Sequence, residues 1–258
     1  LRRFHPHAGQ ITALSTNFSD RLLVTAAGNE VAVWPCARHF PHRRFVFQGG
    51  TRQVRGIAWA RDGSVLLVAG EDGVEQVDQE TGGRQALKTA LAVQKGDPRS
   101  GHLEYSPDGR LLAVVSWQQL RLFRSGDGTL LKTFSMQHRP LALGPGGFSR
   151  LFSADGRRLL TLNGAAREVQ IVSVPDGAVV QTLPVRAGYA AYSPDGRWIA
   201  TCPAGLHEAG ATLWDAHSGE KISDLPAGIA LRLGFSPDGQ HIGVQQRDVV
   251  RFWRSSDG

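Results

Sequence analysis

The sequence predicts an all-β fold built from copies of one small antiparallel sheet, and three observations support this. A short phrase (an aromatic residue, then Ser, Pro, Asp and Gly) recurs at intervals of about 40 to 47 residues. A β-prone run follows each phrase, and a strand of alternating apolar and polar residues comes next. The chain has 258 residues, 41% of them hydrophobic and 20% charged, which is enough for a substantial core.

The repeated phrase predicts a tight turn between the first two strands of each repeat. The aromatic residue ends a strand, Pro presets φ, Asp hydrogen-bonds the nearby backbone, and Gly relieves the turn. Its copies are Trp59–Gly63, Tyr105–Gly109, Phe152–Gly156, Tyr192–Gly196 and Phe235–Gly239, with a shortened copy at Asn17–Asp20.

Three further strands follow the first in each repeat. The second strands are predicted at Leu22–Thr25, Val65–Val68, Leu111–Val115, Leu159–Leu162 and Trp198–Thr201. The third strands are predicted at Val31–Trp34, Leu120–Phe123, Val169–Val172 and Val250–Trp253, and fourth strands at Leu130–Phe134 and Val179–Leu183. Four strands per repeat with a period in the forties are typical of a β-propeller blade.

The repeats resemble the WD40 family of β-propellers in a bacterial form. Trp214-Asp215 is a literal Trp-Asp pair, and Trp34, Phe123 and Trp253 occupy the equivalent place in other repeats. The Gly-His pair of the family is missing from most repeats, and Gly101-His102 is the nearest match. The buried His–Ser–Trp–Asp network that the resemblance implies is therefore expected to be mostly absent, with apolar packing holding the blades together.

Six repeats give about 43 residues each, which predicts one closed propeller domain over residues 1–258. The predicted blades span residues 11–47, 54–90, 102–134, 148–183, 189–225, and 231–258 together with 1–4. Leu1–Phe4 matches the fourth-strand pattern of Leu131–Phe134, so we expect it to pair with the strand around Val249–Trp253 and close the ring. A seven-bladed ring with one blade missing from this chain is the structural alternative.

The sequence carries no motif for catalysis, phosphate binding or haem attachment, so we predict no enzymatic activity and no cofactor. Cys36, His39 and His42 could bind zinc, but no fourth ligand lies nearby, so no metal is predicted. Cys36 and Cys202 fall in blades that are not neighbours, so they should not form a disulfide. The Asp residues of the repeated phrase lie too far apart around the ring to share a ligand.

The resemblance implies a binding surface at the channel mouth and the loops between blades. Aligning the first strands predicts that Arg55, His102, Tyr189 and Arg232 line the mouth, with Gln53, Trp117, Arg139 and Arg150 also contributing. Basic and aromatic side chains of this kind are enriched at interfaces. We therefore predict a protein-interaction platform or regulatory domain that binds another protein or a domain of its own parent chain. No membrane association and no small-molecule substrate are expected.

Two other functions remain open from the sequence. The net charge of +6 and the Arg38–Arg44 cluster favour nucleic-acid binding. A channel site around His102, Tyr189 and Arg232 would favour an enzyme. The absence of a signal peptide and of a disulfide framework predicts a cytoplasmic location.

Arg150 breaks the pattern of its repeat. The equivalent positions hold Ile57, Leu103, Ala190 and Leu233, which are all apolar. One interpretation is a local slip that places Leu151 in the core and turns Arg150 outward. The other is that the register holds and Arg150 joins the cations at the channel mouth, where an acidic partner group would be its ligand.

Overall fold

The fold was analysed in a computed structural model of the chain. It describes residues 13–16, 22–35, 43–46, 54, 56–60, 63–70, 73–78, 80–86, 102–115, 119–135, 150–162, 168–203, 210–226, 228, 232–236, 238–246 and 249–256. Within these ranges the chain forms strands and turns and no helix, which confirms the all-β prediction.

The described strands form six antiparallel sheets in which consecutive strands are neighbours. Sheets 1 and 2 contain β1 (Ala13–Thr16), β2 (Leu22–Ala27), β3 (Glu30–Pro35) and β4 (Arg43–Val46), then β5 (Gly56–Trp59), β6 (Val65–Gly70), β7 (Gly73–Asp78) and β8 (Arg84–Ala86). Sheets 3 and 4 contain β9 (His102–Tyr105), β10 (Leu111–Val115), β11 (Gln119–Arg124) and β12 (Leu130–Ser135), then β13 (Arg158–Leu162), β14 (Glu168–Ser173) and β15 (Val179–Arg186). Sheets 5 and 6 contain β16 (Tyr189–Tyr192), β17 (Trp198–Cys202), β18 (Ala211–Asp215) and β19 (Lys221–Leu225), then β20 (Arg232–Phe235), β21 (His241–Gln245) and β22 (Val250–Arg254).

Small sheets of three or four strands are consistent with propeller blades. The closing strand, Leu1–Phe4, lies outside the described residues, so closure of the ring stays a prediction. The number of blades, their bounds and the single domain stay predictions as well. The chain divides into two compact units, one made of Leu1–Trp117, Arg121–Leu131 and Pro145–Gly147, the other of Gln118–Leu120, Lys132–Gly144 and Phe148–Gly258.

The first unit buries its core between the faces of successive sheets. Sheets 1 and 2 share a cluster of Val24, Ala26, Val31, Val33, Val54, Ile57, Trp59, Leu66, Val68 and Val77. Sheets 2 and 3 share another of Ala58, Leu67, Ala69, Val74, Leu103, Leu112, Val114 and Phe123. The first strands β1, β5 and β9 lie next to one another in that order. Sheet 2 therefore packs one face against sheet 1 and the other against sheet 3.

The second unit repeats this arrangement. Sheets 5 and 6 share a cluster of Ala191, Ala200, Cys202, Ala211, Leu213, Leu225, Leu233, Phe235, Ile242 and Val244. Sheets 4 and 5 are joined by polar contacts: Tyr192 N–H donates to the Arg150 carbonyl at 2.8 Å, and Arg158 Nη1 donates to the Ala216 carbonyl at 3.3 Å. The first strands β16 and β20 are again neighbours.

The turns of the repeated phrase have the predicted local hydrogen bonds. Ser106 Oγ donates to Asp108 Oδ1 at 2.5 Å, and the same carboxylate oxygen accepts the Arg110 N–H at 3.0 Å. Gly109 has a φ of 73°, a left-handed conformation that favours glycine. The hydrogen bond from Ser106 is the main reason that the pKa of Asp108 lies below its ordinary value. The turns at Ser153, Ser193 and Ser236 form the same bonds, so these carboxylates are used within their own turns.

Two sheets contain a buried hydrogen bond between a tryptophan indole and a threonine hydroxyl. It corresponds to part of the buried network that the family resemblance implies. Trp34 Nε1 donates to Thr25 Oγ1 at 2.9 Å, and Trp214 Nε1 donates to Thr201 Oγ1 at 2.8 Å. Phe123, which stands in the same place in sheet 3, is fully buried and needs no polar partner. Indole and hydroxyl thus satisfy each other inside an otherwise apolar core.

Sheet 4 keeps the hydroxyl of this pair but not the indole. Val172 lies opposite Leu159, just as Trp214 lies opposite Ile199 in sheet 5. Thr161, at the place of Thr201, is buried, and within the described part of the chain its Oγ1 has no hydrogen-bond partner. An unsatisfied buried hydroxyl lowers the stability of the folded state.

Thr161→Val is therefore expected to leave the free energy of unfolding unchanged or to raise it by up to about 1 kcal/mol. Thr201→Val is the matched control. It leaves the indole N–H of Trp214 without its acceptor, so it should lower that free energy by about 1–3 kcal/mol. Urea unfolding of both variants provides the measurement. Equal losses in the two would contradict the assignment of an unpaired hydroxyl in sheet 4.

Candidate functional site

Three of the predicted binding residues, His102, Tyr189 and Arg232, each begin the first strand of a sheet. In an antiparallel four-stranded sheet, the first strand begins at the edge where the second strand ends and the third begins. We call this the entry edge; the edge with the turns of the repeated phrase is the turn edge. His102 begins β9, Tyr189 begins β16 and Arg232 begins β20, so all three stand at the entry edges of their sheets.

Four of the predicted site residues, Gln53, Arg55, Trp117 and Arg139, lie outside the described residues. Of the others, His102 belongs to the first unit, whereas Arg150, Tyr189 and Arg232 belong to the second. Within the second unit, the first strands of neighbouring sheets place these three positions on adjacent segments.

His102 lies on the same face of β9 as Glu104. Its Nε2 stands 3.5 Å from Glu104 Oε2, and the two side chains are 10% and 18% exposed. Across the sheet, His102 lies opposite Val115 and Glu104 opposite Ala113. In the described residues Nε2 has no hydrogen bond. This pair is too enclosed to form a broad contact surface by itself.

Tyr189 is half-buried and packs against the core shared by sheets 5 and 6. It lies opposite Cys202 in the pairing of β16 with β17. Cys202 is 1% exposed, and burial raises the pKa of its thiol to about 12. At neutral pH this thiol stays protonated and sheltered, so it is not a nucleophile.

Arg150 is exposed, whereas Leu151 beside it is fully buried. The expected outward orientation of Arg150 and burial of Leu151 are found, but the slip in register is wrong. Phe152 lies opposite Leu159 as Tyr192 lies opposite Ile199 in sheet 5, so the register is the same. Pairing with β13 is present at Leu151 and Phe152, whereas the Arg150 carbonyl accepts the Tyr192 N–H instead. A guanidinium group turned into the core at this position would be a buried charge.

The comparison with known families gives one match. Residues 42–74 match the family described as WD domain, G-beta repeat. This supports assignment to the WD40-repeat family. The matched segment runs from the last strand of sheet 1, β4, to the start of β7 in sheet 2. No curated protein matches the chain.

The WD40 assignment carries general expectations about function. WD40 domains are typically non-catalytic scaffolds that bind other proteins. Among the described residues, no group of three or more His, Cys, Asp or Glu residues could hold a metal ion. The possible zinc ligands Cys36, His39 and His42 lie outside those residues. The described segments also include no helix with the length and hydrophobicity needed to cross a membrane.

Sequence reasoning missed an exposed apolar face on sheet 6. Phe252 is 71% exposed and Val250 is 50% exposed. Their equivalents in sheet 5, Leu213 and Ala211, are only 0% and 2% exposed because sheet 6 packs against them. The alternating pattern of β22 predicted one buried face, but the pattern alone does not say what covers it.

Proposed function

We propose that this chain is a rigid, non-catalytic platform that binds another protein, or another domain of its parent chain, through its entry edge. The WD40 match supports the class of function. The choice of surface rests on two adjacent segments, residues 150–152 and β16. The Tyr192 N–H donates a hydrogen bond to the Arg150 carbonyl and so joins them. They present an exposed cation and a half-buried aromatic ring on a rigid framework, a combination common at interface hot spots.

We further propose that the sheets are six blades of a closed ring, completed when Leu1–Phe4 pairs with β22. The exposed side chains of Val250 and Phe252 support the closed ring, because the third strands β3, β11, β14 and β18 bury the equivalent residues. Within the described residues β22 pairs only with β21, so one of its edges is open to a further strand. An open edge with apolar side chains tends to aggregate unless it is covered.

The nucleic-acid alternative rests mainly on the cluster at residues 38–44, whose side chains lie outside those that the structure describes, so it stays a prediction. At the turn edge, Arg124 pairs with Asp127 at 3.0 Å, and Arg110 lies 3.9 Å from Asp108. These contacts place carboxylates beside the guanidinium groups and weaken any field that would attract phosphates. The enzyme alternative would need a nucleophile and a base within hydrogen-bond reach. Among the described site residues we find no such pair.

Site-specific photo-crosslinking tests the proposed binding edge. A photoreactive residue at position 186 lies exposed at the end of β15 on the entry edge, whereas the control at position 217 lies exposed on the turn edge of sheet 5. We expect position 186, and not position 217, to form adducts with a protein partner in cells of the native organism. Adducts from position 217 alone, from both positions equally, or from neither would overturn the proposal.

A further inference from the structure

We infer that the entry edge of sheets 4 and 5 recognises an acidic segment of the partner protein, and that Arg150 is the anchor for a carboxylate of that segment. This inference rests on the proposed function and specifies the chemistry of the partner. Three observations carry it: the interrupted strand at Arg150, the rigid attachment of its backbone, and the balance of charge around it.

Arg150 interrupts a strand that other sheets keep intact. In sheet 5, β16 pairs over its whole length with β17, and Ala190 lies buried opposite Thr201. In sheet 4, the described part of the equivalent segment, residues 150–152, pairs with β13 at Leu151 and Phe152, while the Arg150 carbonyl bonds to Tyr192 of sheet 5 instead. Arg150 thus stands where the repeat of sheet 5 has a buried, paired alanine, and its own side chain is exposed. A local departure from the repeat that weakens the fold is typical of a functional position.

The described residues provide no partner for the Arg150 side chain. Within the described residues, its guanidinium group forms no ion pair and no hydrogen bond, and the residue is exposed. A guanidinium group that is left available presents a planar set of donors matched to a carboxylate. The missing strand pairing at residue 150 is therefore compensated only if the guanidinium group binds a partner outside the described part of the chain.

The backbone of Arg150 is nevertheless held in place. Its carbonyl accepts the Tyr192 N–H at 2.8 Å, which joins it to the first strand of sheet 5. The next residue, Leu151, is fully buried, and its carbonyl accepts the Leu160 N–H at 2.9 Å. An exposed charged group on such a fixed base loses less conformational freedom on binding than one on a flexible loop.

The charge around Arg150 favours an acidic partner. Arg186 is exposed at the same edge of sheet 4, and Arg232 begins the first strand of sheet 6. Glu168 lies opposite Arg186 and is the acidic residue in the described part of the sheet 4 entry edge. The Asp residues of the phrase turns stand at the opposite edge, where Asp155 accepts a hydrogen bond from Ser153. In the described part of the sheet 4 entry edge, Arg150 and Arg186 therefore outnumber Glu168, and the net charge there is positive.

Fluorescence anisotropy with a labelled octaglutamate peptide tests the inference, with an octaglutamine peptide as the uncharged probe. Arg150→Ala should weaken binding of the glutamate peptide roughly tenfold through loss of the charge-assisted hydrogen bonds. Arg157→Ala removes the same charge from an exposed position on the turn edge of the same sheet and should change binding less than about twofold. The melting temperature of Arg150→Ala should equal or exceed that of the wild type, because alanine suits the strand.

Three results would overturn the inference. The first is equal binding of the glutamate and glutamine peptides by the wild type, the second is an equal loss of binding in the two variants, and the third is unfolding of Arg150→Ala, which would account for its loss of binding. The crosslinking experiment distinguishes failure of this inference from failure of the proposed function. If position 186 still forms partner adducts, the binding edge is correct and the partner has another chemistry. If those adducts are also missing, the proposed function fails as well.

Discussion

Trp214→Ala is expected to lower the free energy of unfolding by about 3–5 kcal/mol. The indole is 5% exposed, and Trp214 lies opposite Ile199 of β17. Its removal leaves a cavity and also leaves the Thr201 hydroxyl without the N–H that it accepts. For a chain of this length the melting temperature should fall by about 2–4 °C per kcal/mol. Urea and thermal unfolding provide the measurements.

Two companion variants separate packing from hydrogen bonding in this prediction. Trp214→Phe keeps most of the ring volume, so its smaller loss should report mainly the indole–hydroxyl bond. Trp253→Ala is the matched control, because Trp253 lies opposite Ile242 in the same place of sheet 6 but is only half-buried and faces Val244 rather than a threonine position. Its loss should be smaller than that of Trp214→Ala. Wild-type stability of Trp214→Ala would show that this packing is not needed.

The sequence predicted the turns and most strands because their causes are local. The Ser, Asp and Gly of each phrase satisfy one another within a few residues, as Ser106, Asp108 and Gly109 show. The alternating strands likewise need only a buried face, which any neighbouring sheet provides. Local chemistry of this kind is visible in one copy of the repeat and becomes unmistakable when the copies are aligned.

The sequence was less informative where the cause is distant along the chain. The mismatch at Arg150 was visible, but its outcome depends on Tyr192, whose N–H holds the carbonyl of residue 150. The exposure of Phe252 depends on which segment covers sheet 6, and its alternation matches that of the buried Leu213. The positions of candidate site residues on one edge could be predicted from strand order. Their exposure could not, because it depends on packing between sheets.

Deleting Leu1–Phe4 should lower the free energy of unfolding by roughly 3–6 kcal/mol and promote aggregation. If this segment forms the fourth strand beside β22, Leu1 and Phe4 bury apolar side chains at about 1.5–3 kcal/mol each. The deletion would also free the edge of β22, next to the exposed Val250 and Phe252. Urea unfolding and light scattering after size-exclusion chromatography measure the two effects.

Substitutions within the segment provide a matched control for its deletion. In a paired strand alternate side chains face opposite sides, and cross-strand apolar neighbours stabilise each other. Phe4→Ser should therefore reproduce much of the loss, whereas Arg3→Ser should have little effect. In sheet 5, Leu225 lies opposite Ala211, and the same pairing would place Phe4 opposite Val250. Combining Phe4→Ser with Val250→Ser should therefore give less than the sum of the two losses, since each removes the same contact. If the deletion leaves both stability and solubility unchanged, the ring is not closed by Leu1–Phe4. If the intact chain itself forms oligomers that Phe252→Ser dissolves, β22 is covered by another chain instead.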